Sequence, residues 1–587
     1  MPVPGVESKM KQVRMAGIAA ARAALAFAMA LSAIAPAGAA VDPLAIVPPV
    51  GVGPYPVACS DMAQNLNPPA GNLSDYWEGN PINGQSHYVT ELLTEPADSI
   101  IYPVTLPDDS ELYSNYAGQT INFAAIICYP TSNANTRPDY PIPGESPVPK
   151  MQRAGQAPIW ADASARYPVV VFSHGLASSP LSSEYLLAME FFASHGYVVI
   201  APFHADARFT DVHIDNISDV IYVLRNLDKI VAAQSLRPQA LHAAIDVLLT
   251  NPQYRDHVDV NAIGGFGASL GGEALLLAVG AKLTISFGLS SKQVMNDQRF
   301  RALVGYVPYS GQKIFPAFGD DQNGASLVTT PFMAIGGTAD TTAPLFMTEQ
   351  AVNNMQGTRW VVSEPGVQHG LEVENVPEVF TWALTFLDAH LKDPATVRTN
   401  RAKLARMEQV STGTDEHVDV DVLMPEPPRA NETLVTEFYN VNLNHYFMTP
   451  YQAEADNIIL NGSAGPGWVR THINFNAWAD GSGVGTPVCR FYGTPGRGPN
   501  SHFFTADAAE CAAVKLDPGW TFEGLTMRVM LPAGGVCPAD TIPVFRVYNN
   551  RFPQNDSNHR YSTSRMTRDQ MIAMSWVNEG TVLCVVP

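Results

Sequence analysis

Gly267-Ala268-Ser269-Leu270-Gly271 is the stretch on which the reading of this chain turns. It sits between a strand-like run, Val260–Phe266, and a helical run, Gly272–Val279. A serine at a sharp strand-to-helix turn takes strained backbone angles that lift its hydroxyl clear of the sheet. Glycine is called for two positions to either side, because side chains there would collide across so tight a turn. The start of the following helix favours negative charge developing beside the hydroxyl. Ser269 therefore reads as a nucleophile.

The pattern around this turn gives the fold class. Short apolar runs alternate with helix-length segments: Pro168–Phe172 with Ser182–Ser194, then Tyr197–Ala201, a long loop and Arg237–Leu249. After the serine turn come Ala302–Val307, Pro331–Ile335 with Pro344–Met355, and Arg359–Val362 with Pro377–His390. Strands apolar on both faces and separated by helices predict an α/β fold, a mostly parallel sheet flanked by helices. Right-handed crossovers bring the loops after the strands to one edge of that sheet.

A serine nucleophile needs a base, an orienting carboxylate and two backbone N–H donors for the oxyanion. Asp340 follows the strand Pro331–Ile335 and His369 follows Arg359–Val362, so both fall on the edge expected for Ser269. Leu270, directly after the nucleophile, offers one oxyanion N–H. Leu176 offers the second, in Ser173-His174-Gly175-Leu176, with His174 and Gly175 shaping the turn and bordering the pocket. His204 and Asp206, in the loop after Tyr197–Ala201, are the remaining pocket candidates. With Asp211, His213 and Asp215 they carry metal-ligand side chains, but at a spacing that fits no metal site, so no metal is expected.

On these residues, 165 to 392 resemble the α/β-hydrolase superfamily, nearest to its dienelactone-hydrolase-like and platelet-activating-factor-acetylhydrolase-like branches. The resemblance rests on Val170 to Gly175, Ser194 to Val199, Gly267 to Gly272, Gly336 to Asp340, and His369. It implies esterase or lipase-like activity without a metal or organic cofactor. Dienelactone hydrolases use a cysteine nucleophile where Ser269 stands, so that lactone reaction is not implied. Ala268 takes the place of the histidine common in lipases. The same triad also serves amidases and peptidases, and a hydrolase fold can be kept by a non-catalytic binding protein. Small, lipid-like and polymeric esters all remain open as substrates, with loops at 130–165 and 202–236 placed to cover the site.

The rest of the chain points to export and a second domain. Lys9, Lys11 and Arg14 precede an Ala-rich apolar stretch ending at Ala37-Gly38-Ala39, a signal-peptide pattern over residues 1–39 that predicts a secreted protein. No later segment is apolar for long enough to span a membrane. The six cysteines then read as disulfides, most simply Cys59 with Cys128 and two bridges among Cys489, Cys511, Cys537 and Cys584. A hydrolase domain is expected over 40–392 and a Pro-rich linker over 393–432. Over 433–587 a mainly β domain is expected, its Phe-Tyr-Asn-like, His-aromatic and Gly-Trp-like elements recurring three times. Three copies suggest pseudo-threefold closure, and the texture resembles a repeat family of secreted bacterial proteins. Its His445, His502 and His559 are candidates either for a polysaccharide or surface ligand or for internal packing. A net charge of −20 excludes nucleic acid as a partner.

Overall fold

The computed structural model describes residues 49–153, 155–210, 220–371, 375–404, 419–424 and 428–587. The signal segment expected over 1–39 lies outside them. The chain divides into two compact units, Pro49–Lys392 and Asp393–Pro587. Among the described residues, no helix is long and apolar enough to cross a membrane.

In the first unit, the strands are β1 (Val57–Cys59), β2 (Ile101–Thr105), β3 (Thr120–Pro130), β4 (Tyr167–Ser173) and β5 (Val198–Pro202). They continue as β6 (Val258–Ala268), β7 (Phe300–Tyr306), β8 (Phe332–Gly337) and β9 (Arg359–Glu364). The spatial order is β1-β3-β5-β4-β6-β7-β8-β9, with β2 beside β3. From β5 to β9 every pairing is parallel, whereas β1, β2 and β3 join antiparallel. A disulfide ties Cys59 to Cys128, which face each other in the β1–β3 register.

The main helices are α1 (Ser183–Ser194), α2 (Asp206–Thr210), α3 (Val220–Thr250), α4 (Leu270–Ala278), α5 (Leu345–Asn354) and α6 (Val376–Leu391). Their two-sided packing can be read from adjacent glycines in β6. A Cβ on Gly264 would lie 2.6 Å from Leu391 of α6, while one on Gly265 would lie 2.7 Å from Leu275 of α4. Successive strand residues face opposite ways, so these glycines let helices approach from both sides. Phe172 of β4 and Phe266 of β6 stack at 5.7 Å, and Phe192 of α1 packs on Phe266 at 5.2 Å.

One expectation is corrected here: the described residues of 202–236 are mostly helical rather than a long loop. They hold α2 and the first half of α3, which runs through Pro238. Pro238 reads as a helix boundary because proline removes a backbone N–H and crowds the preceding turn. The helix tolerates it, and Arg237 is thereby carried inside the helix.

In the second unit the stretch expected as a linker contains helix α7 (Pro394–Leu404) and a strand at Asp419–Met424. Asp393 caps α7 by accepting from the Ala395 N–H at 3.1 Å, and Ala402 joins the unit's core. Val397, Ala402 and Leu404 are buried, which a reading by composition passes over.

Beyond it, β10 (Glu432–Asn440), β11 (His445–Thr449), α8 (Gln452–Leu460) and β12 (Trp468–Ala479) form one stretch. A second comprises β13 (Thr486–Gly493), β14 (His502–Thr505), α9 (Ala508–Leu516) and β15 (Trp520–Val529). The third is β16 (Ile542–Tyr548), β17 (His559–Ser562), α10 (Arg565–Ala573) and β18 (Val577–Val585). The first two share a six-stranded sheet, β11-β10-β12-β15-β13-β14, and the third makes a three-stranded sheet, β17-β16-β18. Disulfides join Cys489 to Cys511 and Cys537 to Cys584.

Gly265→Val should lower stability by about 1–3 kcal/mol, the usual cost of overpacking a filled core. The measurement is the urea midpoint; an unchanged midpoint would show that α4 has room the packing denies it.

Candidate active site

Ser269 has φ 53° and ψ −120°, a region that non-glycine residues rarely enter. Such strain costs on the order of 1–3 kcal/mol and persists only where the surroundings hold it. Here β7 and the residues after it do so: the Ser269 N–H donates to the Tyr306 carbonyl at 3.0 Å, and the Ser269 carbonyl accepts from the Tyr309 N–H at 3.0 Å. Both flanking glycines are sterically required. A Cβ on Gly267 would lie 2.4 Å from the Gly271 backbone, and one on Gly271 only 1.9 Å from the Ser173 carbonyl oxygen.

The parallel sheet brings three expected residues together at one edge. His369 Nε2 lies 3.0 Å from Ser269 Oγ, and His369 Nδ1 lies 2.7 Å from Asp340 Oδ2. Because a carboxylate only accepts, Nδ1 carries the proton and Nε2 is left to receive the serine's. Asp340 is buried, and its other oxygen accepts from the Thr342 and Ala343 N–H groups at 2.8 Å each. The acid and histidine loops touch at Gly337, where a Cβ would lie 2.2 Å from the Val367 carbonyl oxygen. The Tyr306 hydroxyl holds the Gly370 carbonyl at 2.5 Å, fixing the chain just after His369.

Leu176 packs against Leu270, Tyr309 and Ala343. Neither the Leu176 nor the Leu270 N–H donates to a turn, loop or side-chain acceptor among the described residues. Two free donors beside a serine hydroxyl are what an oxyanion requires.

The pocket candidates need correction. His174, His204 and Asp206 are all buried and turn inward, so they do not line a substrate pocket. His174 Nδ1 donates to the Gly175 carbonyl at 2.8 Å, and its Nε2 accepts from the His204 N–H at 3.1 Å. Burial, with the Arg237 charge nearby, pushes the His174 imidazole down to about 3. His204 Nε2 meets the Ser173 hydroxyl at 2.9 Å, and burial holds this imidazole well below its ordinary range too. Asp206 binds Arg237 through both carboxylate oxygens. Gly175 lies on the loop itself, where a Cβ would press on the Tyr185 hydroxyl at 2.7 Å. Asp211, His213 and Asp215 lie outside the described residues.

Sequence reasoning missed Arg237 and Glu273. Arg237 was read as the first residue of a helix, Arg237–Leu249, whereas α3 begins well before it. Glu273 follows the nucleophile by one helical turn and is fully buried, with Gln234 donating to its two oxygens at 2.9 and 3.0 Å. Burial pushes its carboxyl up to about 8, partly offset by Gln234. A charged residue within the apolar run after Ser269 was the only available signal.

In the second unit, His445 is buried, and His502 and His559 are half-buried among aromatic rings. His445 bonds the Asn500 carbonyl and the Asp556 carboxylate at 2.9 and 2.8 Å. His502 lies between Phe447 and Tyr492, and His559 between Phe503 and Tyr548. Beside them Arg490 reaches Glu454 and Glu523, Arg546 reaches Glu510 and Glu579, and Arg560 reaches Glu437. Each guanidinium stacks over an aromatic ring of another stretch, respectively Phe447, Phe503 and Tyr446. Among the described residues, no group of three or more His, Cys, Asp and Glu side chains is arranged to hold a metal.

Two family models match the chain. Residues 156–215 match Platelet-activating factor acetylhydrolase, isoform II. That segment carries β4, α1, β5 and α2, hence the His174-Gly175-Leu176 loop and Asp206. It supports a lipase- or esterase-like hydrolase of α/β type. Residues 434–586 match Domain of unknown function (DUF5648), which spans the three strand–strand–helix–strand stretches. No curated protein matches the chain.

A carboxyl neutral when folded but ionised when unfolded stabilises the fold fully below the unfolded value near 4.5. That contribution is lost as pH rises towards 8. Glu273→Gln keeps the shape and cannot ionise. It should therefore gain stability over the parent chain between pH 5 and 8, by at most about 1.4 kcal/mol per pH unit. Urea titrations at several pH values read this directly, and parallel curves would show that Glu273 does not titrate in the interval.

Proposed function

We propose that the chain is a secreted serine hydrolase that cleaves carboxylic esters through an acyl-enzyme. The carrying observation is the Ser269–His369–Asp340 hydrogen-bonded chain, at 3.0 and 2.7 Å, beside the free Leu176 and Leu270 N–H groups. His369 takes the Ser269 proton as Oγ attacks the ester carbonyl, and Asp340 holds the tautomer and stabilises the imidazolium. Leu176 and Leu270 receive the oxyanion. His369 then returns the proton to the leaving alcohol, and water repeats the sequence to release the acid. The family match over 156–215 favours an ester over an amide.

Residues 40–392 are the catalytic domain in this reading, and 433–587 a three-part repeat closed on itself. The three arginine–glutamate junctions support that closure, because each ties one stretch to another. The ring contacts of His502 and His559 and the hydrogen bonds of His445 support a packing role for the repeated histidines over a ligand-binding one. Three disulfides fit export to an oxidising compartment.

Hydrolysis of p-nitrophenyl esters from acetate to palmitate tests the reaction. Ser269→Ala should lower kcat by on the order of 10⁴–10⁶ and abolish labelling by a fluorophosphonate. Turnover that survives in Ser269→Ala would remove the serine mechanism. An inert but folded parent chain that cleaves p-nitroanilides would transfer the site to amides.

A further inference from the structure

Arg237 is a fully buried cation that the hydrolytic steps do not use. Its Nε and Nη2 engage the two oxygens of Asp206, Nε at 2.7 Å. Its remaining reach goes to backbone: Nη1 donates to the His174 carbonyl at 2.6 Å and Nη2 to the Gly175 carbonyl at 3.0 Å. The Gly175 carbonyl also accepts from His174 Nδ1 at 2.8 Å, so both its lone pairs are engaged. Burying a guanidinium is expensive unless it is paired and its donors are satisfied, and four bonds in fixed directions meet that condition.

The Gly175 carbonyl and the Leu176 N–H belong to one peptide unit. That unit is planar and trans, so the two dipoles point in opposite directions. Whatever anchors the Gly175 oxygen inward thereby aims the Leu176 hydrogen outward, towards Ser269. Donors on the oxygen also polarise the unit, which strengthens its N–H as a donor in turn. On the other side of the loop, the Gly175 N–H donates to the Tyr185 hydroxyl at 3.2 Å, which limits rotation about the same residue.

We propose that Arg237, clamped by Asp206 and helped by His174, is the positioning residue that aims and polarises the Leu176 N–H as the second oxyanion donor. This rests on the serine-hydrolase reading of the site. Lysine cannot replace the guanidinium, because a single ammonium cannot span both carboxylate oxygens and two carbonyls. The apolar contacts of Leu176 are untouched by the exchange, so ground-state binding is expected to survive it.

The test uses the full chain, p-nitrophenyl butyrate and a trifluoromethyl ketone, whose adduct with Ser269 places an oxyanion where the transition state does. In Arg237→Lys, kcat should fall about 10- to 100-fold, less than or equal to the loss of a whole oxyanion donor. KM should stay within about threefold, and ketone affinity should weaken in parallel with kcat. A purely structural role would not produce that split. Should Arg237→Lys fail to fold, Arg237→Gln combined with Asp206→Asn exchanges the ion pair for a neutral amide pair and reads the same quantities. Parental kcat in either folded variant overturns the proposal, as does a loss confined to KM or an unweakened ketone. Ser269→Ala runs alongside: if it is dead while Arg237→Lys is fully active, only this inference fails. If Ser269→Ala turns over, the hydrolase reading fails first.

Discussion

At the turn after β6, the backbone of residue 271 passes so close to the end of β4 that a Cβ would stand 1.9 Å from the Ser173 carbonyl oxygen. That close approach organises the site. It seats α4 directly against the loop that follows β4, which brings Leu270 and Leu176 to one place. It also compels Ser269 into a positive φ, and the bonds to Tyr306 and Tyr309 keep it there. Since β7 and the residues just after it supply those bonds, and β7 pairs parallel with β6, the geometry of Ser269 depends on sheet order as well as on the local motif.

Behind this turn lies an unusually polar interior. Asp206, Arg237, His174, His204, Gln234 and Glu273 are buried within the same half of the unit. Each such group loses its water, so it is tolerable only where partners replace that water or the charge is given up. Both solutions occur. Arg237 and Asp206 satisfy one another and two backbone carbonyls by hydrogen bonds, whereas Glu273 and the two imidazoles are pushed towards their neutral forms. A polar core of this kind adds little net stability compared with apolar packing. What it provides is direction, because each partner tolerates a narrow range of angles.

The second unit solves a different problem with similar chemistry. Three stretches of the same element order meet at three arginines, one from the second and two from the third, each stacked on an aromatic ring and ion-paired with a glutamate of another stretch. The arrangement is not strictly periodic. Arg490 and Arg546 stand on the opening strands of their stretches, but the first stretch has Glu437 there, and its partner Arg560 comes from β17. The sign on the opening strand is reversed, and its partner comes from a strand rather than from the helices that carry Glu454 and Glu510, yet a charged pair between stretches survives.

Much of the first unit was legible because its signals are local. A positive-φ serine demands glycines within two residues, and buried parallel strands demand unbroken apolar runs. Asp340 and His369 follow such runs, which places them at the edge where parallel strands end. Those constraints act over a few residues of backbone, so the sequence by itself determined the α/β class and most of the parallel strands, and pointed to Ser269, His369 and Asp340, whose side chains hydrogen-bond in series. The inward turn of His204 and Asp206, the passage of α3 through Pro238 and the bonds of Arg237 were decided by the tertiary structure alone. Arg237 meets Asp206 across 31 residues and the Gly175 carbonyl across 62. No periodicity spans such intervals. The pairing exists only because closing α3 over the sheet removes water from both groups and leaves each the other's best available partner.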